Sequence, residues 1–442
     1  MGRSAHRGED SEVGPRAEVG LDAPAEPAQR AKLRGCGLLV VALISLRAWA
    51  APDDRASLAG GASLGGGVTV DGGVTVDGGM TVDGGAAPDG GPAGFAPQLT
   101  PVAAPAYTPE LGLLLTAGGL LSWNGDPATP SLPRSSLGLL AGYSTGRALL
   151  VQGRLNSYWL GDALRWTAAL EVRDMYDHYF GVGWAAGHST PLGPSTTAWH
   201  RRWWDVTSSA LLRLAPSFYA GPVIDATRTT ALSVSRGVAA DPTFAREGAD
   251  FVGLGVGLTA QYDSRDVPVN AWRGVLLSAS VLVYARWMGA TTRYQVAALD
   301  YRHYLTLFRP GSTLAWQVKY RTAWGDVPWP ELSQLGTPYE LRAYRWGQYR
   351  DRTAASVSVE YRYMLPVAKG GTLFQELLAR SGFVAWVGVG ALGETPLPDV
   401  GHPLPAVGAG YRFEVHERIT MRLDFGLGDG TRAFYFNFLE AF

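Results

Sequence analysis

The chain has 442 residues, 46% of them apolar and 17% charged, with a mean hydropathy of zero. That average excludes a polytopic helical membrane protein, which needs repeated apolar runs of about 20 residues. A balance of 38 Lys and Arg against 39 Asp and Glu gives a net charge of −1 and excludes a strongly basic nucleic-acid binder. Glycine is abundant, 57 of 442 residues or about 13% against a usual level of roughly 7%. With 15 tryptophans and 19 tyrosines beside it, this is a composition for strands and turns.

Residues 1–50 read as a secretory signal preceded by a polar extension. Arg30, Lys32 and Arg34 form a basic flank, residues 36–46 (CGLLVVALISL) an apolar core, and Ala48, Trp49 and Ala50 an A-x-A cleavage site. Such a short core cannot span about 30 Å of hydrocarbon, which sets aside a membrane anchor. Cleavage after Ala50 removes Cys36, the single cysteine, so disulfides, thiol nucleophiles and thiolate metal sites are excluded from the mature chain. Residues 51–106 repeat GVTVDG, GVTVDG and GMTVDG from Gly67, then decay into AAPDGGPAG. A six-residue period can build a β-helix, but three copies nearly free of bulky side chains bury too little. The stretch reads as a disordered Gly/Asp/Pro-rich linker. Asp71, Asp77 and Asp83 lack the nonapeptide spacing of calcium-binding repeats.

From residue 107 the texture becomes period-two alternation broken by turns. In 164–173, Leu164, Trp166, Ala168, Leu170 and Val172 oppose Arg165, Thr167, Glu171 and Arg173. In 314–324, Leu314, Trp316, Val318, Tyr320 and Trp324 oppose Gln317, Lys319 and Arg321. The same pattern sets Val357, Val359, Tyr361 and Tyr363 against Ser356, Ser358, Glu360 and Arg362, and Met421, Leu423, Phe425 and Leu427 against Thr420, Arg422, Asp424 and Gly426. Alternation predicts strands. Soluble sandwich strands average about 5–6 residues, whereas these run to about 10–14, enough to cross a bilayer at a tilt. Their apolar face then meets lipid and their charged face a wet lumen. Strands are predicted near 110–122, 136–145, 147–159, 163–174, 179–187, 200–214, 217–228, 250–263, 274–287, 292–306, 313–324, 354–366, 382–392, 404–416, 419–428 and 432–442. Sixteen is an even number, as a closed bacterial barrel requires. The expected fold is all-β: a 16-stranded antiparallel transmembrane barrel over 107–442, behind the linker.

The chain ends RAFYFNFLEAF, placing Phe434, Phe436, Phe438 and Phe442 at even positions with Glu440 breaking the stripe. Aromatics alternating up to an aromatic C-terminus form the pattern of a final outer-membrane strand, which the barrel-insertion machinery reads as a β-augmenting peptide. The endings RLDFGLGDG and FYFNFLEAF resemble the bacterial surface antigen barrels, the superfamily of BamA, TamA and the two-partner secretion transporters. YDSRDVPVNAWRG (262–274) resembles that family's periplasmic strand–turn–strand element, with Tyr262, Asp263, Arg265 and Asp266 in the matching places. YFGVGW (179–184) resembles its FYGIGN, and LRAYRWGQYRD (341–351) resembles the motif of its large sixth extracellular loop. The resemblance covers 107–442. It implies eleven strands before that loop and five after it, and a place in the outer membrane of a Gram-negative bacterium. It also implies work there in insertion, assembly or translocation of proteins or lipids.

The loop motif, Leu341, Arg342, Ala343, Tyr344 and Arg345, is implied to fold into the lumen, where the family's arginine meets an aspartate of an FVDxG strand. Here FVAWVGVG from Phe383 puts Ala385 in that place, and Ala343 replaces the usual glycine, which should tighten the turn. A buried guanidinium still needs an anion; Glu360 and Asp424, both expected inward, are the candidates. Plainer readings stand beside these. Arg342 is then a solvated loop residue, 262–266 a turn capped by Asp263 and Asp266 with Arg265 paired to either, and HRRWW (200–204) a membrane-rim cluster facing lipopolysaccharide. Residues 51–106 are too short and too Gly/Asp-rich for one of the family's periplasmic POTRA domains, so a separate periplasmic partner is expected to supply that part. The other expected partners are outer-membrane lipid and the insertion machinery during biogenesis. His303 with Asp300 is the one suggestive catalytic neighbourhood, without a serine at i±2. No zinc spacing or phosphate loop appears, so no enzyme, metal or cofactor is expected. The competing function is a passive pore or a purely structural barrel with no assembly activity, any permeation tuned by Arg165, Glu171, Lys319, Arg321, Glu360 and Arg362. Gly426, Gly428 and Gly430 are expected to loosen packing at a seam between first and last strands.

Overall fold

The computed structural model describes residues 97–124, 134–266, 270–368, 371–416, 419–438 and 440–442. The signal segment and the GVTVDG repeats lie outside the described residues. Eleven strands run antiparallel in chain order: β1 (Gln98–Thr108), β2 (Gly112–Trp123), β3 (Ser135–Ser144), β4 (Leu149–Trp159), β5 (Leu164–His178), β6 (Ala198–Ala215), β7 (Phe218–Val234), β8 (Asp250–Asp263), β9 (Gly274–Tyr284), β10 (Tyr294–Thr306) and β11 (Ser312–Gly325). A long connection follows, holding a small hairpin of β12 (Ser333–Leu335) and β13 (Tyr349–Asp351). Then β14 (Thr353–Met364), β15 (Ser381–Gly393), β16 (Leu404–His416), β17 (Ile419–Gly428) and β18 (Thr431–Phe438) bring the sheet round to β1, closing a barrel of sixteen strands.

The alternation in the sequence becomes the two surfaces of this wall. On β14, Ser356, Ser358, Glu360 and Arg362 are buried inside, while Val357 and Tyr361 are exposed outside. Leu139, Leu258, Val281, Val387 and Phe425 add to the same apolar exterior on other strands. The interior is the inverse of a soluble core: Arg173, Arg321, Arg350, Arg412 and Arg422 rank among the largest fully buried side chains. The strands close on themselves and a belt of apolar side chains faces outward, which is the form of a transmembrane barrel. Among the described residues no helix is long and apolar enough to cross a membrane.

The strand total equals the expected sixteen through two compensating differences. β1 begins at Gln98, inside the stretch read as linker, so the barrel starts before residue 107. Pro97, Pro101, Pro105 and Pro109 hid it. Proline cannot donate to a ladder and is tolerated only on edges, and β1 is one side of the closing seam. Residues 179–187, read as a strand, instead carry Gly181 and Gly183 at φ 98° and 87° and lead into helix α1 (Trp184–Ser189).

One end of the barrel is capped by the connections 179–197, 235–249 and 326–352. Trp329 stands at the centre of that cap, edge-on to Tyr179, Trp199 and Phe244 with ring centroids at 5.1, 4.8 and 5.6 Å. Its indole nitrogen donates to the Gly248 carbonyl at 3.1 Å. Leu258, 69% exposed in mid-β8, tests the lipid face. Leu258→Arg is expected to cost about 2–4 kcal/mol in vesicles, and Leu397→Arg, at a similarly exposed loop position, close to nothing. Guanidinium unfolding of the reconstituted protein, followed by tryptophan emission, measures both.

Candidate functional site

The 326–352 connection folds into the lumen and fastens to both walls. On one side the guanidinium of Arg342 donates to Glu360 of β14 and, at 3.1 Å, to Asp424 of β17. These contacts belong to a closed circuit of alternating charge. Glu360 pairs with Arg362 at 2.9 Å, Arg362 with Glu440 at 3.6 Å, Glu440 with Arg412 at 2.9 Å, and Arg412 with Asp424 at 2.6 Å, which returns to Arg342. Arg422 joins at Asp424, at 3.1 Å, and also donates to the Pro338 carbonyl. Every member is buried. Charges removed from water are tolerable only when each has such partners.

The place that the resemblance gives to an aspartate is filled differently. Ala385 faces outward, as does Phe383, so neither reaches Arg342. Their neighbour Trp386 points inward and lays its ring 4.3 Å from the Arg342 guanidinium carbon. The strand supplies a cation–π face instead of a carboxylate, and the strands β14 and β17 supply the anions.

Gly426 explains how loop and wall come so close. A Cβ there would stand 1.7 Å from the Arg342 carbonyl oxygen, so only glycine admits the loop backbone. Gly426 therefore makes room for a contact, where the sequence suggested only loosening. The left-handed residue of the turn is Leu341 at φ 47°; Ala343 is buried and absent from the positive-φ positions. Tyr344 is fully buried, its hydroxyl donating to the Pro405 carbonyl at 2.6 Å and accepting from the Asp429 amide at 3.0 Å. Arg345 is exposed and takes no part in this circuit.

The opposite anchor escaped the sequence reading. Trp346 reaches the β5–β6 wall, where the guanidinium carbons of Arg173 and Arg201 lie 4.3 and 5.6 Å from its ring. Further along, Arg350 sits 4.8 Å from the Tyr179 ring, and burial pulls its pKa down to about 10. Burial likewise holds the Glu331 carboxyl well above the usual carboxylate range. LRAYRWGQYRD gives no local signal for the Trp346 anchor, because the guanidinium planes that stack on Trp346 come from β5 and β6.

Beside this loop lies the seam. Among the described residues, β1 is matched to β2 along its whole length, but to β18 through a single registered pair, Tyr107 opposite Phe436. β18 stops at Phe438, short of the predicted 442, and residues 440–442 turn into the lumen. Glu440 is drawn inward by Arg412 and by the Thr420 hydroxyl at 2.8 Å. Phe442 packs near Tyr304, and its carbonyl accepts from Arg362 at 2.8 Å. Phe434 is exposed on the outer face against Tyr107, with Phe436 following, so Phe442 does not continue their stripe. The backbone of Phe438 ends the strand.

The remaining predicted residues fall elsewhere. Asp263 takes the Arg265 amide at 3.1 Å and its guanidinium at 3.0 and 2.9 Å, and Asp266 takes the Trp272 amide at 3.0 Å. Together they cap the β8–β9 turn, while Tyr262 faces outward. Asp300 and His303 occupy opposite faces of β10: Asp300 binds Arg302 inside, and His303 meets the Tyr301 hydroxyl at 3.0 Å and the Trp316 ring outside.

No protein-family model matches the chain, and no curated protein matches it. Among solved structures, BamA from Haemophilus ducreyi lacking POTRA domains 1–3 superposes with a TM-score of 0.52 at 14% identity, over 77% of this chain and 69% of that one. This chain has the BamA barrel fold. CdiB from Acinetobacter baumannii and from Escherichia coli gives TM-scores of 0.48 at 9% and 11% identity, over 78% and 80% of this chain. The chain spans 59% and 63% of those two structures. With a BamA-type barrel of sixteen strands and an apolar outer belt, the architecture is that of a Gram-negative outer-membrane protein.

The charge circuit makes a differential prediction. It holds four arginines (342, 362, 412 and 422) against three carboxylates (Glu360, Asp424 and Glu440), and Asp424 alone touches three of the arginines. Asp424→Asn is expected to destabilise the barrel by about 3–5 kcal/mol by leaving buried cations uncompensated. Arg342→Met leaves three against three and should cost less, while freeing the loop to proteolysis. Gly426→Val should free the loop in the same way with the circuit's charges untouched. Unfolding midpoints and limited proteolysis of vesicle-bound protein report the two effects separately.

Proposed function

We propose that the protein assists insertion, assembly or translocation of proteins or lipids at the outer membrane, using the β1–β18 seam as its working edge. The single registered pair at that seam carries the reading. An underpaired strand edge offers backbone donors and acceptors to an incoming strand, and every other neighbouring pair in the wall is matched over most of its length. Pro101 and Pro105 keep β1 an edge by removing two ladder donors. The latched loop complements this: with the lumen crossed by 326–352, the free route is sideways through the seam. That supports an assembly role over the passive pore, which needs an open channel. Outer-membrane lipid, the insertion machinery during biogenesis and a separate periplasmic partner are the proposed associates.

The test is to lock the seam. In a Cys36→Ser background, Tyr107→Cys with Phe436→Cys places two thiols on facing residues. The reduced protein in vesicles is expected to accelerate the folding of a small outer-membrane barrel diluted from denaturant. Oxidation should abolish the acceleration and reductant restore it. Acceleration indifferent to the lock would move the working edge elsewhere. No acceleration, together with a steady large conductance in planar bilayers, would establish the passive pore instead.

A further inference from the structure

We propose that the short helix in the β14–β15 connection, α2 (Leu373–Ala379), is an interfacial anchor seated in the lipid leaflet at the barrel end towards which β18 runs. Its start is fixed by a capping box between Thr372 and Gln375. At about 100° per residue, Leu373, Phe374, Leu377 and Leu378 share an arc of roughly 140°, with Gln375, Glu376 and Ala379 on the other side. None of the helix is buried: Leu373 is 78% exposed, Phe374 67% and Leu377 45%. In water this is an unfavourable display.

Its position supplies the occupant. Ser381 shares the outward parity of Phe383; its hydroxyl donates to the Leu377 carbonyl at 2.7 Å and lies 2.6 Å from the Tyr411 hydroxyl. Arg380 donates to the Val415 carbonyl at 2.9 Å. The helix is therefore tied to the outer side of the wall, at its rim. Directly along the wall runs an aromatic band: Phe383 with Tyr411 at 5.8 Å, Tyr361 with Tyr363 at 6.3 Å and His303 with Trp316 at 4.4 Å. Such a band marks the lipid–water boundary of a transmembrane barrel. The neighbouring β10–β11 turn adds Phe308, 94% exposed, and Arg309, whose guanidinium carbon lies 4.7 Å from the Tyr363 ring. Helix face, Phe308 and aromatic band form one surface continuous with the lipid-facing wall. Arg309 and Arg380 lie at headgroup level, where cations meet anionic lipid. A phospholipid leaflet fits this surface, and the anchor falls on the strand that carries Glu360.

The full chain, with Cys36→Ser and Phe374→Cys, is labelled with a nitroxide and reconstituted in phosphatidylethanolamine–phosphatidylglycerol vesicles. Heat-modifiable gel mobility identifies the folded population. The ratio of collisional accessibility to oxygen over that to a nickel chelate is expected to be several-fold higher at 374 than at a Leu397→Cys label in an exposed loop at the opposite end. Leu373→Cys serves as the second reporter where Phe374→Cys does not fold. An equal ratio at the two ends would place the helix in water and overturn the proposal. A label shielded from both reagents would overturn it too, in favour of a covering protein.

Discussion

A guanidinium cannot be left alone in a space from which loop and wall have expelled the solvent, and the interior of this barrel is organised around that constraint. Arg342 is carried into the lumen by its loop, and the carboxylates that receive it belong to strands on both sides of Trp386. Those carboxylates need further cations, which Arg362 and Arg412 provide, and these in turn hold Glu440. Mutual satisfaction thus spreads from a single loop residue to β14, β16, β17 and the segment beyond β18. The circuit favours one arrangement of these elements, because moving any one of them leaves a buried charge without its partner.

The wall and its contents were unequally legible in the sequence. Strands such as 164–173 and 356–365 announced themselves because lipid outside and polar groups inside impose a strict period of two. β1 did not, since prolines replace the usual strand formers at the one place where an edge tolerates them. The helix at 184–189 was lost for the converse reason: aromatic and glycine residues there imitate a strand while the backbone turns through left-handed angles. Glu360 and Asp424 were accessible as partners of Arg342 because each lies on the polar parity of its strand. Trp386 was not, since pattern matching set the eye on Ala385, and a shift of one residue in a strand exchanges lumen for lipid. Trp346 and Arg412 required knowing which walls face each other, which no local pattern contains.

Seam and latch are complementary in their energetics. The seam is weak because its ladder is nearly absent, while the lumen beside it is held by charged hydrogen bonds and stacked guanidinium planes. Backbone pairing along the rest of the wall keeps the other strands in one continuous sheet irrespective of what occurs at β1. Weakness is therefore confined to a single line on the circumference, and the interior contacts keep that line from becoming a hole through the middle.

The inward turn of residues 440–442 bears on the order in which the chain reaches its native state. Glu440 and Phe442 rest on groups from β10, β14, β16 and β17, the most distant of them, Tyr304, separated from Phe442 by well over a hundred positions. Contacts of such long range close late in folding, because the entropy of the intervening chain must be surrendered first. The seat for this segment does not exist until those four strands stand in correct register. A barrel with slipped strands has no seat to offer, so the docking of these residues reports that assembly of the wall has finished.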